Sequence, residues 1–306
     1  MKGAVSYSLF GYGKDKVKDS FDFPSYMRGF AVNLRMCKLL YPDWAVVLNI
    51  DQSTYDGFKD YFDLLKDKNV CTIEVNPSAP LCLAMLWRLK PIFTRNWDET
   101  YQGFTEWTYT HVICRDLDSL PTYKEAQAVK VWIDNDTSVH AITDSDSHSI
   151  PMMGGMVGFR PHYITERIGC QTFKDMMNKY PMELSAKGSD QTWMNTYIYP
   201  TIAQHGKDSI TQHYFEGMPK TFLGNYYTCR CPRGTGHADN CPNNVKLDLP
   251  DEMKESNYCT GHCGCAGYYP TACGRFFRDY EDRFKDMAEC EKLYPDTFYW
   301  INSGSM

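Results

Sequence analysis

The chain has 306 residues, 43% of them hydrophobic and 23% charged, the proportions of one or two folded domains rather than a disordered chain. Thirty-two basic against 38 acidic residues leave a net charge of −6, so no global field favours nucleic acid. No apolar run reaches the roughly 18 residues of a membrane span. The N-terminus, with one Lys and no apolar core, does not read as a signal peptide, and the expected compartment is the cytoplasm.

In chain order, residues 5–9 read as a strand. Residues 26–40 carry Met27, Phe30, Ala31, Leu34 and Leu39 at helical spacing. The unbroken apolar run 44–50 suits a buried parallel strand. A helix over 53–66, a strand over 70–75 and a helix over 81–89 follow, the last entered through Pro80, whose fixed φ fits a first turn. A strand over 111–114 runs straight into Arg115-Asp116-Leu117-Asp118. An amphipathic helix over 123–133 and a strand over 139–142 continue the rhythm, and a further helix opens at Asp190 with Ser189 as N-cap. Alternation of this kind predicts an α/β fold, a Rossmann-like, mostly parallel sheet with helices on both faces. From about residue 225 the rhythm stops. Gly, Pro, Asn and Cys dominate to about 274, and a helix over 276–293 follows.

Thirteen cysteines are unevenly placed. Cys37, Cys71, Cys82, Cys114 and Cys170 sit in apolar contexts and read as small core residues. The other eight lie between Cys229 and Cys290. Cys229, Cys231, His237, Cys241, Cys259, His262, Cys263, Cys265 and Cys273 are nine candidate ligands, enough for one tetrahedral zinc site and barely two. Without a leader, structural zinc is favoured over disulfides or free thiols, although the spacings match no zinc-finger pattern closely. From residue 225 onward nine Lys and Arg face twelve Asp and Glu, which weakens a nucleic-acid reading of this segment. Arg230, Arg233, Arg275 and Arg278 remain as a local basic patch.

In an extended segment residues i and i+2 face the same side, so Asp116 and Asp118 can aim two carboxylates at one cation. Hard oxygen ligands suit Mn2+ or Mg2+, ions that commonly bridge to diphosphate oxygens. Parallel sheets bind ligands at the carboxyl ends of their strands, where this pair falls. The plain alternative is a solvated loop that caps the following helix.

Arg115-Asp116-Leu117-Asp118-Ser119 resembles the DxD element of GT-A-fold glycosyltransferases. Three further segments agree in order and spacing. His140 to Gly158, with Asp144, Asp146, His148, Pro151, Gly154 and Gly155, resembles the acceptor-side strand of bacterial polysaccharide glycosyltransferases. Asp190-Gln191-Thr-Trp-Met-Asn195 resembles the Asp-Gln-x-x-Leu-Asn motif of the retaining family 8 galactosyl- and glucosyltransferases. His213-Tyr-Phe-Glu-Gly217-Met-Pro-Lys220 is similar to that family's His-Phe-x-Gly-x-x-Lys-Pro-Trp, but is one residue longer and has Thr221 in place of Pro. The resemblance implies a GT-A catalytic domain over 1–225 that binds a nucleotide sugar; the cysteine-rich segment over 226–306, read as zinc-stapled from its spacings, has no counterpart in the pattern.

On that resemblance Asp116, Asp118 and His213 would hold Mn2+ or Mg2+, with Asp116 a ligand or a contact to the ribose, and Lys220 would add charge at the same phosphate. Asp190 or Asp146 would serve as base in an inverting enzyme, and Gln191 would face the sugar in a retaining one, the outcome the motif favours. Arg88 and Arg115 read as cations that orient the donor, and Gly154 and Gly155 as residues whose missing Cβ lets the backbone approach the sugar. Tyr7, Phe10 and Tyr12, around the end of the first strand, are candidates to stack on the base. The implied donor is a nucleoside-diphosphate sugar, UDP-linked. The acceptor is a hydroxyl of a glycan, a lipid-linked glycan or, as the minority reading, a modified base of DNA. A zinc-stabilised binding module with a vestigial sugar-nucleotide site is the remaining alternative.

Overall fold

The computed structural model describes residues 2–12, 26, 30, 33–34, 37–38, 40–98, 103–117, 121, 123–143, 150–181, 188–206, 209–214 and 225–226. In chain order its strands are β1 (Gly3–Leu9), β2 (Ala45–Asp51), β3 (Thr72–Asn76), β4 (Arg95–Asp98), β5 (Gly103–Trp107), β6 (His111–Arg115), β7 (Val139–Thr143), β8 (Met156–Phe159), β9 (Ile210–Tyr214) and β10 (Asn225–Tyr226). Eight form one sheet in the order β10-β9-β7-β8-β6-β1-β2-β3, while β4 and β5 pair apart as a hairpin. β8 runs antiparallel to both neighbours, and every other pair in the large sheet is parallel.

The strands are apolar on both faces because both faces are covered. Successive side chains of a strand point opposite ways. Ala4, Val47, Val112, Cys114, Val139 and Ala141 therefore pack to one side, against Leu86, Leu89, Trp193 and Ile198. Val5, Tyr7, Leu9, Val46, Leu48, Ile50 and Ile113 pack to the other, against Phe30, Leu34, Phe62, Leu65 and Trp132. Each fully buried side chain of this kind contributes roughly 1.5–3 kcal/mol. Cys37, Cys71, Cys114 and Cys170 are buried free thiols, in keeping with a core role for these four.

Several elements differ from the sequence expectation for local reasons. The helix expected over 53–66 is two helices, Gln52–Gly57 and Lys59–Asp67, and Asp51 caps the first by accepting from the Thr54 amide at 3.0 Å. The helix expected over 81–89 ends at Leu86 and continues as a 3-10 turn, Trp87–Phe93. Pro91 lies inside that turn, where its missing N–H and its clash with the preceding residue oppose an α-helix. At 189 the capping position is Gly188, with φ 84°, and Ser189 is already inside the helix. The β4–β5 hairpin was not expected; its strands are short and polar, and Arg95 lies 4.0 Å over the Trp107 ring. No helix among the described residues is long and apolar enough to cross a membrane.

Strand order defines one crevice. The chain winds from β1 outward through β2 to β3, then returns to place β6 on the opposite side of β1. Between β1 and β6 the winding reverses, and open α/β sheets bind ligands outside the carboxyl ends of the strands at such a reversal. Here those ends are Leu9 and Arg115.

Candidate functional site

Asp116 follows the last residue of β6 and thus stands at that reversal. Its carboxylate accepts from Nη1 of Arg88, whose Nη2 donates to Oδ2 of Asp190 at 2.6 Å. The 3-10 turn brings Arg88 inward, and the first turn of helix Ser189–Trp193 brings Asp190 to meet it. Side-chain exposure is 5% for Arg88, 1% for Asp190 and 21% for Asp116, so Asp116 is the member of the array that faces solvent. Burial opposes the guanidinium charge, but the two carboxylates outweigh it and hold the group firmly protonated. Asp190 Oδ1 is buried and has no hydrogen-bond partner among the described residues, so it is an acceptor that an incoming hydroxyl would satisfy.

Gly154 and Gly155 pack directly on this array. A Cβ on Gly154 would stand 2.4 Å from Arg88 Nη2, and one on Gly155 would stand 2.1 Å from Asp116 Oδ2. The places a Cβ would take on these glycines are filled by Arg88 and Asp116, so the missing side chains let the turn pack on the array. Arg115 departs from its expected role as a donor cation. It is 1% exposed, pairs with Glu125 at 2.9 Å and donates to the Gly155 carbonyl at 3.0 Å, so it fixes the glycine turn from inside the core. Asn195 secures the same turn from the other end, its amide bonding the N–H and C=O of Met152 at 3.0 and 2.8 Å and the Gln191 carbonyl at 2.8 Å. Asn195 lies in a π-helical turn, Met194–Ile198, a local distortion common at functional sites. Gln191 is half-buried beside Asp190.

Tyr7 does not present a face to a base. Its ring is wholly buried and its hydroxyl donates to Asn33 Oδ1 at 3.0 Å, because position 7 faces the helical layer rather than the strand end. Phe10 is buried edge-on against Trp87. Tyr12, 36% exposed and packed 4.8 Å from the Phe58 ring, is the aromatic residue of this group that reaches the surface.

His213, on β9, lies three positions from β6 in the sheet and outside the Arg88 array. Its ring meets His140 edge-on at 5.2 Å, and His140 stacks on Trp132 at 5.4 Å. Burial pushes the His213 pKa down to about 4, against a bond to the Ala128 backbone that raises it; the imidazole is neutral, the form that binds metal. Among the described residues no group of three or more His, Cys, Asp or Glu could hold a metal ion. Asp118, Asp146, Lys220 and all nine candidate zinc ligands lie outside the described residues. Glu125 and Asn33 were not singled out from sequence, and Asn195 entered only as the last residue of the Asp-Gln motif, with no role assigned. Glu125 resembles any acid in a helix's first turn, and only the fold shows that Arg115 turns inward to meet it.

No family model matches the chain, and no curated protein does. Among solved structures, 4-diphosphocytidyl-2C-methyl-D-erythritol synthase from Anaerococcus prevotii DSM 20548 is similar with a TM-score of 0.38 and 10% identity, over 71% of this chain and 89% of that one. Mannosyltransferase PcManGT from Pyrobaculum calidifontis, in complex with GDP-Man and Mn2+, is similar with a TM-score of 0.33 and 12% identity. That match covers 67% of this chain and 63% of the mannosyltransferase. Likenesses this shallow carry no argument about chemistry.

Proposed function

We propose that the chain is a glycosyltransferase that takes a sugar from a nucleoside diphosphate, with UDP as the nucleotide, and passes it to a hydroxyl acceptor. The observation that carries this reading is the position of Asp116. A partly exposed carboxylate stands at the β1/β6 reversal, one residue past the strand, where this sheet topology receives ligands. The DxD resemblance then supplies the chemistry. Asp116 and Asp118 would hold Mn2+ or Mg2+, ions that suit hard carboxylate oxygens; His213, expected as a third ligand, stands three strands away in the His140–Trp132 cluster and is not part of this site. The ion, when bound, neutralises charge on the departing diphosphate.

The chain's own residues do the rest of the work. Arg88 holds Asp116 and Asp190 in one plane of hydrogen bonds and fixes both before a donor arrives. The unsatisfied Oδ1 of Asp190 accepts a hydroxyl, of the transferred sugar or of the acceptor. Tyr12 offers its ring to the base. Gln191 faces the reacting centre and Lys220 the leaving phosphate, as the motifs imply, with retention of configuration. The cysteine-rich segment after 226 binds structural zinc and takes no part in the transfer.

Calorimetric titration of UDP with and without Mn2+ tests the reading, together with a panel of sugar nucleotides assayed for release of UDP. Binding that needs the ion, and turnover of one donor that Asp116→Asn abolishes, is the expected result. No ion-dependent binding of UDP would overturn the reading and favour the binding module with its vestigial site, and Mn2+-dependent binding without turnover of any donor would overturn the transferase activity.

A further inference from the structure

We propose that Asn33 is a positioning residue for the Asp116 loop, holding the backbone of Leu117 through a relay that begins in the core. The role in donor binding rests on the function proposed above; the role in fixing the loop does not.

Pairing between β1 and β6 ends at Ser6 and Cys114, so the Leu117 carbonyl lies beyond the ladder. Leu117 is nevertheless 1% exposed, and a buried carbonyl needs a donor. Asn33 supplies it, with Nδ2 donating to Leu117 O at 3.1 Å across 84 residues of sequence. The other end of the same amide accepts from the Tyr7 hydroxyl at 3.0 Å, and that hydroxyl also meets Cys37 Sγ at 3.3 Å. Asn33 and Tyr7 are fully buried and Cys37 is 2% exposed.

The position demands an amide. One short side chain must donate to Leu117 and accept from Tyr7 at once, and an asparagine does both while an aspartate does not. Leu117 decides which way the amide points, because a carbonyl only accepts and so takes the NH2, which leaves the amide oxygen for the Tyr7 O–H. Cys37 completes the order. Burial keeps its thiol protonated, its pKa pushed up to about 12, so the S–H is available to the Tyr7 oxygen and leaves the Tyr7 proton for Asn33. The result is a directed chain from the helical layer, through β1, to the residue that follows Asp116. A shift of Leu117 would carry Asp116 with it.

The test uses three variants of the full chain. Asn33→Asp removes the donor to Leu117 while keeping the size and the acceptor for Tyr7. Tyr7→Phe breaks the relay upstream and leaves the bond to Leu117. The double variant Asn33→Leu with Tyr7→Phe makes the upstream contact apolar on both sides and takes the donor from the Leu117 carbonyl; it serves if Asn33→Asp does not fold. Hydrogen–deuterium exchange is followed on peptides covering residues 112–122 and on peptides from β2 and β3 as control. The expected result is exchange about tenfold faster or more at 112–122 in Asn33→Asp and in the double variant, the loss of one buried hydrogen bond of about 1.4 kcal/mol, with β2 and β3 unchanged. Tyr7→Phe should raise exchange there by less than Asn33→Asp does, about two- to fivefold, because the bond to Leu117 remains while the amide loses its upstream anchor, and its melting temperature falls with the others. Exchange at 112–122 that matches wild type, or rises equally in all strands, overturns the proposal. Mn2+-dependent UDP affinity is measured on the same samples and should weaken with loop exchange, not with melting temperature. Wild-type protein that binds no UDP would remove the donor reading and leave the exchange result to decide the role of Asn33.

Discussion

Gly155 shows how closely the residues of the array constrain one another. A methyl group there would press on the carboxylate of Asp116 and, at 2.9 Å, on its backbone nitrogen. The side chain alone cannot relieve that contact, because the strand end would have to move with it. Arg115 blocks the opposite escape by holding the Gly155 carbonyl at 3.0 Å. Gly155→Ala is therefore expected to displace Asp116 and to lower turnover by about tenfold or more, within the range a misplacement of about 1 Å produces. Thermal melting and donor kinetics on the same sample check this: wild-type turnover would show that the turn yields without cost. The packing of Gly154 and Gly155 on the array was not legible in the sequence. Sequence shows that a Cβ is missing but not which neighbour fills its place, and here the neighbours are the site's own Arg88 and Asp116. Asp116 itself was legible, because an acid directly after an unbroken apolar strand has few places to go in an α/β sheet.

Helix Tyr123–Asn135 is fastened to β6 by the Arg115–Glu125 pair, with both side chains at 3% exposure or less. Removing one member of a buried pair leaves the other uncompensated, at a cost of about 3–5 kcal/mol. Glu125→Gln keeps the volume and one acceptor, so its cost should fall near the lower end of that range, whereas Glu125→Ala should approach the upper. Denaturant titration of the two variants checks the order, and equal stability of both with wild type would show that Arg115 does not depend on Glu125. Strands β1, β2, β3, β6 and β7 were readable from sequence, since runs such as 44–50 and 111–114 are apolar without interruption and the folded sheet covers both faces, whereas the short β8 and β10 and the helices Pro161–Ile168 and Phe173–Lys179 were not. The β4–β5 hairpin was not, because neither of its strands carries an apolar pattern to distinguish it from a loop. Arg115 was misread for a related reason. A cation beside an acid pair looks like a ligand-binding group until the fold shows a carboxylate waiting inside.

For the whole molecule, two metals were inferred from sequence and they bear on different properties. The nine Cys and His ligands after residue 226 were read from composition and spacing alone, and the prediction they support is compositional: elemental analysis of freshly purified protein should find about one zinc per chain, the content of a single four-ligand site. Less than half that, or a melting temperature unchanged by a zinc chelator, would remove the staple. The pH response is fixed instead by the described core. His111 is 4% exposed, its ring 4.9 Å from Trp132 and 6.4 Å from Trp44. Burial, aided by the charge of Arg160, pushes its pKa down from 6.5 to about 4. The folded chain therefore holds this imidazole neutral in a window where the unfolded chain protonates it. Stability from this source is complete above about pH 6.5 and is lost as pH falls toward 4, by up to about 1.4 kcal/mol per pH unit for a single group. His111→Phe keeps the ring contacts and removes the titration, at the cost of the bond between Nδ1 and Thr110 Oγ1. The melting temperature of wild type should accordingly fall more steeply between pH 7 and pH 5 than that of His111→Phe, and the two curves should converge as acid is added. Curves that stay parallel across that window would show that His111 titrates alike in the folded and the unfolded chain.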